Sequence, residues 1–306
     1  MRNHLWTGLL ILGLSGCQSL KILTTSKIEP ASGNGERTQV IPMTATIFKG
    51  TPSLFAQLFG PQDEAYWAQA CNLPLPHPIA PVPAAVLIAA GNVVWGQAVD
   101  AANSKIDEIQ ERSVKSWTAT WTGSKATIAR DQCLAIARIS GGSEPKVEMA
   151  VMVRLTPAVS GNTNAPAFQW MPLGVWSRNS LALTKQEGDS GKIGLSMSIA
   201  AKSFKNGEAT ASVSDPISMS GVPVSAQKNA SLSYTPTGRS QTYSEPLQFF
   251  STAEISTVYL KFAIVESGSL AGSNTKAKAE LKAWTDALGP VATDAWKKKI
   301  EEKAAK

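Results

Sequence analysis

Lys146-Val147-Glu148-Met149-Ala150-Val151-Met152-Val153-Arg154-Leu155-Thr156 is the stretch on which the fold turns. Val147, Met149, Val151, Val153 and Leu155 occupy every second position. Side chains of an extended chain point alternately to opposite faces, so this period marks a strand with one face in a core. The same period recurs on both sides. Trp117, Ala119 and Trp121 alternate with Thr118, Thr120 and Thr122, and Gln132 to Ile139 is a short apolar strand carrying Cys133. Leu195, Met197, Ile199 and Ala201 alternate with Ser196, Ser198 and Lys202, and Val258, Leu260, Phe262 and Ile264 make the last clear strand. Gly141-Gly142, Gly161-Asn162 and Asn206-Gly207 supply turns between them. Half-buried strands joined by short turns indicate an antiparallel sheet or sandwich, not alternating βα units. Asp215 to Pro246, rich in Ser, Thr and Pro, reads as a long loop with at most weak strands.

Helical signals flank this body. Val40 to Phe48 is a further candidate strand. Gly60-Pro61-Gln62-Asp63-Glu64 then opens a short helix that runs to Cys71 and carries Tyr66 and Trp67, with proline at its first position and acids in its first turn. Five prolines between Leu73 and Pro83 keep that stretch extended. Ala84 to Ser113 repeats Ala84, Ile88, Gly91, Trp95, Val99, Ala102, Ile106 and Ile109 at four-three spacing, a long helix with Lys105, Asp107, Glu108, Glu111 and Arg112 outside. Its uncharged part, Ala84 to Val99, is too short to cross a bilayer, so it reads as a packed element. Ala277, Leu281, Trp284 and Leu288 form a helix stopped by Gly289-Pro290, and Thr293 to about Lys303 forms another. The expected class is therefore α+β: an antiparallel β-rich body at 40–270, one long N-terminal helix packed on it, and two C-terminal helices at 271–306.

The N-terminus has a different logic. Arg2 precedes Leu5 to Leu14, an uncharged run of ten residues, and then come Ser15, Gly16 and Cys17. A charged residue, a short apolar run and small residues form the pattern of an export signal. Leu14-Ser15-Gly16-Cys17 resembles the lipobox of bacterial lipoproteins. The resemblance covers only these residues. It implies that residues 1–16 are removed, that Cys17 carries lipid, and that two or three acyl chains hold the protein stably in a membrane. Gln18 stands where an Asp commonly retains such proteins in the inner membrane, which favours the outer membrane, facing the periplasm. Residues 17–39, with Pro30 and Ser32-Gly33-Asn34-Gly35, read as a flexible tether.

Assigning Cys17 to lipid leaves Cys71 and Cys133 as an even pair in an oxidising compartment, read as a disulfide that stabilises the fold by roughly 4 kcal/mol. Cleavage leaves about 290 residues; 43% of the chain is apolar and 17% charged, enough for a buried core. The net charge of +6 is thinly spread except around Lys297-Lys298-Lys299 and Lys303, with no Arg/Lys stripe interleaved with aromatics, so nucleic acid is not an expected partner.

Little chemistry is visible. The cleaved chain has one histidine, His77, which leaves no second imidazole for a zinc site, and no phosphate-binding or dinucleotide-binding glycine motif occurs. No catalytic residue, metal site or cofactor is expected. Gly188-Asp189-Ser190-Gly191 is similar to the nucleophile segment of trypsin-like proteases, but Lys192 follows and His77 lies in a proline run, so the segment reads as a turn. Asp63-Glu64 and Asp107, Glu108 and Glu111 fit a helix start and a solvated face. Trp117 and Trp121 fit core packing better than a sugar platform. The expected role is non-catalytic, in binding, scaffolding or assembly with an envelope protein or polymer. Two alternatives stay open: a cell-wall or glycan hydrolase with paired carboxylates facing across a cleft, and a carbohydrate- or lipid-binding module with exposed tryptophans or an apolar tunnel.

Overall fold

In the computed structural model, the alternating stretch that begins at Val147 is the centre of a six-stranded antiparallel sheet. The structure describes residues 25–33, 35–61, 64–72, 107–124, 131–141, 143–159, 166–205, 208–227, 230–236, 243–248 and 257–272. The strands in chain order are β1 (Lys27–Ile28), β2 (Arg37–Pro42), β3 (Val114–Ser124), β4 (Gln132–Ile139), β5 (Val147–Val159), β6 (Pro166–Ser177) and β7 (Thr184–Glu187). They continue as β8 (Ser190–Lys205), β9 (Glu208–Val213), β10 (Ile217–Ser225), β11 (Leu232–Tyr234), β12 (Leu247–Gln248) and β13 (Thr257–Gly268). Two short helices, α1 (Leu54–Phe59) and α2 (Glu64–Asn72), precede β3, as does a helical segment at 107–112.

The six-stranded sheet runs β11-β6-β5-β4-β2, with β12 also on β6. The seven-stranded sheet runs β1-β7-β8-β13-β3, with β10 and β9 pairing one after the other along the edge of β8 away from β13. The two sheets face each other across one core. Val151, Val153, Leu155, Phe168 and Trp170 come from one sheet; Trp117, Leu195, Met197, Ile199, Leu260, Phe262 and Ile264 come from the other. These are the period-two positions, because the alternation that defines a strand also selects which face meets the opposite sheet.

A second core lies on the outer face of the six-stranded sheet. Ala135, Ala137, Ala150, Met152 and Trp176 project there and are covered by Ile47, Phe55, Phe59 and Trp67. Both faces of β5 are thus buried, which explains why the residues between its core positions include Ala150 and Met152. Ser53 starts α1 by accepting a hydrogen bond from Ala56 N (3.0 Å), one of the otherwise unpaired N–H groups of a helix start. Phe48, Phe55 and Phe59 stack in sequence, and the edge of Phe59 meets Trp176.

The α+β expectation is overturned. Strand accounts for 57% of the described residues, in two antiparallel sheets, one a half-barrel, and the helices are three short ones, not a long N-terminal helix with two C-terminal helices. Of the stretch read as a helix at 84–113, residues 107–112 are helical and 84–106 lie outside the described residues, as do both C-terminal segments. The excess strand has physical causes. β6 contains Pro172, which cannot donate to a sheet. It sits where the β5–β6 register slips, opposite Val153, between the segments that pair with β12 and β11. β10 lies within the stretch read as a loop. Its inward Ile217 and Met219 fall out of phase with Val222 and Val224, because the register shifts between Met219 and Val222, at Ser220-Gly221, where Gly221 has φ +75°. Residues 27–28 and 37–39, read as tether, are strand.

Candidate functional site

Among the described residues, the sequence-predicted positions are brought together at one place only. Cys71, in the last turn of α2, and Cys133, on β4, are joined, with their Cα atoms 5.4 Å apart. Cα separations near this value are ordinary for a disulfide. The bond fastens α2 to the outer face of the six-stranded sheet, beside Trp67. Cys17 and His77 lie outside the described residues. Glu64 opens α2, while Asp107, Glu108 and Glu111 are exposed on the 107–112 helix. Gly188 and Asp189 form the turn between β7 and β8, with Gly188 at φ +66°. Trp67, Trp117, Trp170 and Trp176 are buried, and Trp121 packs half-buried against the main core.

A polar cluster that the sequence reading missed sits at one end of the space between the sheets. Glu266, on β13, is fully buried. Its Oε1 accepts from Trp117 Nε1 (2.8 Å), and its Oε2 accepts from Ser180 Oγ and Leu181 N (2.7 Å each). Arg138, on β4, reaches across from the opposite sheet with Nε 3.4 Å from Glu266 Oε1. Its other two nitrogens donate to Glu36 Oε2 (2.5 Å) and to the carbonyl of Asn179 (2.7 Å). The guanidinium also lies over the Trp117 ring, 5.9 Å from its centroid.

The position of this cluster follows from strand periodicity. Leu134 and Ile136 face the core, so Arg138 does too; Phe262 and Ile264 face the core, so Glu266 does too. Opposite charges at the inward ends of facing strands were the available signal. Chemically the cluster is closed. Both oxygens of Glu266 are occupied by fixed donors, and Arg138 is nearly inaccessible. Glu36 and Glu266 are two acids near one another, but a cation fills the space between them, unlike the open gap that a glycosidase needs. A buried charge pair with such partners orders a fold and offers no group to a substrate.

Between β8 and β10, Leu195, Ser196, Ser218, Met219 and Ser267 line a depression of about 80 Å³. Small-molecule sites commonly enclose ~300–1,000 Å³. Among the described residues no group of three or more His, Cys, Asp or Glu side chains is placed to hold a metal ion, and no helix is long and apolar enough to cross a membrane. Compared with known proteins, the chain matches no family model, no curated sequence and no solved structure.

Proposed function

We propose that this chain is a lipid-anchored protein of the bacterial cell envelope, held through Cys17 and facing the periplasm, with a non-catalytic binding or scaffold role. The observation that carries the reading is Leu14-Ser15-Gly16-Cys17 directly after a short uncharged run. The joined Cys71 and Cys133 fit an oxidising compartment. The use of Glu266 and Arg138 inside the fold, each already partnered, favours a structural purpose for the buried charges over a chemical one. Expression of the chain and its Cys17→Ser variant with a clickable fatty acid tests the anchor. The wild-type chain should take up label and sediment with membranes, and the variant should do neither. Equal labelling of the two would overturn the assignment. The non-catalytic role is tested separately: purified protein should turn over none of a panel of peptidoglycan, ester and peptide substrates, and any turnover lost on substituting a carboxylate would place it among the hydrolases.

A further inference from the structure

The outer face of the seven-stranded sheet is uneven. Towards the start of β8 it carries small, buried side chains, Ser196, Ser198 and Ala200, beside Ala263 and Val265 of β13. Towards the other end it opens into five longer polar side chains. Thr122, Tyr259 and Lys202 stand abreast on β3, β13 and β8, and Thr120 and Lys261 stand abreast one step along the same face. Tyr259 is 47% exposed, one of three large apolar side chains left exposed among the described residues. Thr120 and Thr122 are exposed, and both lysines are half-buried.

Lys202 and Lys261 are diagonal cross-strand neighbours, close enough for their long side chains to meet. Among the described residues neither forms an ion pair, and no Asp or Glu stands in the group. Two like charges side by side without an acid are a cost to the folded chain. The Lys261 ammonium is held below its ordinary pKa, by burial first and by the Lys202 charge second. An anion seated between the two would relieve both effects, and the threonine hydroxyls would complete its hydrogen bonding. The open ring of Tyr259 beside them is an apolar plate with a polar tip, the kind of surface on which a sugar ring rests.

We infer that Lys202 and Lys261, with Thr120, Thr122 and Tyr259, form a binding site for an anionic saccharide, the charged group on the lysine pair and the ring against Tyr259. The site names a ligand class for the binding role proposed above and does not depend on the anchor. The Cys17→Ser full-length chain, read by side-chain NMR of its lysines and by calorimetry, is the test. Glucose 6-phosphate, glucuronic acid and glucose are the probes. The sugar phosphate should bind and shift the Lys202 and Lys261 signals, and glucose should not. Preference for the phosphate or for the uronate identifies the anion. Lys202→Gln with Lys261→Gln should weaken binding at least about tenfold without lowering the melting temperature, while Arg at both positions retains binding. Tyr259→Ala should weaken the sugar phosphate more than inorganic phosphate. Equal binding by the double Gln variant, equal binding of neutral glucose, or no lysine response to any probe at millimolar concentration would each overturn the site. Loss of fatty-acid labelling would leave it untouched.

Discussion

Arg138 and Glu266 join strands of opposite sheets, so their energetics bear on how the two sheets are held together. Removing one partner of a buried pair leaves the other charge unsatisfied, at a cost of about 3–5 kcal/mol. Glu266→Gln also turns an amide nitrogen towards donors, either Ser180 and Leu181 N or Trp117 Nε1 and Arg138, whichever way the amide settles. We predict a loss in that range for Glu266→Gln in urea unfolding with the disulfide intact. Arg138→Met should lose a similar amount, and the double variant distinctly less than the sum, by at least about 1 kcal/mol. Strictly additive losses would show that the two residues do not act as a pair. The phase of each strand places both residues in the interior, so this much was readable in the sequence. Which of Glu36, Glu148 and Glu266 meets Arg138 was not, because that depends on how one sheet is laid on the other. The Cys71–Cys133 bond was readable for a different reason: counting thiols needs no geometry.

Among the elements, β5, β3, β8 and β13 show their strand character openly because their core positions keep a strict period of two over most of their length. α2 is equally legible, from proline and acids before Tyr66 and Trp67. β6 and β10 are hidden by the irregularities that let them fit, a proline at a register slip and a glycine bulge. The same irregular part of β6 receives α2. A Cβ on Gly174 would lie 2.2 Å from the Trp67 ring and 2.8 Å from the Tyr234 carbonyl oxygen, so glycine is what allows the indole to rest on the sheet. Gly174→Ala should therefore destabilise by about 1–3 kcal/mol, the usual cost of overpacking, and alter the near-ultraviolet dichroism to which Trp67 contributes. Gly188→Ala has open space around it and a left-handed backbone. It should cost about 1–2 kcal/mol and leave that spectrum unchanged. An unchanged spectrum in Gly174→Ala would mean that the helix shifts freely on the sheet.

At the scale of the whole molecule, the N-terminal segment sews the two sheets together. β1 pairs with β7 in one sheet, Ala31 N donates to Ser180 O, Glu36 meets Arg138, and β2 pairs with β4 in the other sheet. The register of Lys27 opposite Lys185 puts Thr25 beside Glu187, next to the Gly188-Asp189 turn. If Cys17 is lipidated, eight residue steps separate it from Thr25 and reach at most ~28 Å even when fully extended. From Gly191 to Lys202, β8 alone runs about 36 Å at strand rise. The tether therefore keeps the β7–β8 turn within reach of the headgroups, and with the body standing on that end the Lys202, Lys261 and Tyr259 face stands away from them. Fluorophores attached through Asp189→Cys and through Thr122→Cys, each in the lipidated full chain reconstituted in vesicles with a spin-labelled lipid, measure this directly. Quenching should be strong at position 189 and weak at 122. Equal quenching would mean that the body lies along the membrane, and the reverse order would mean that the chain is not held at its N-terminus.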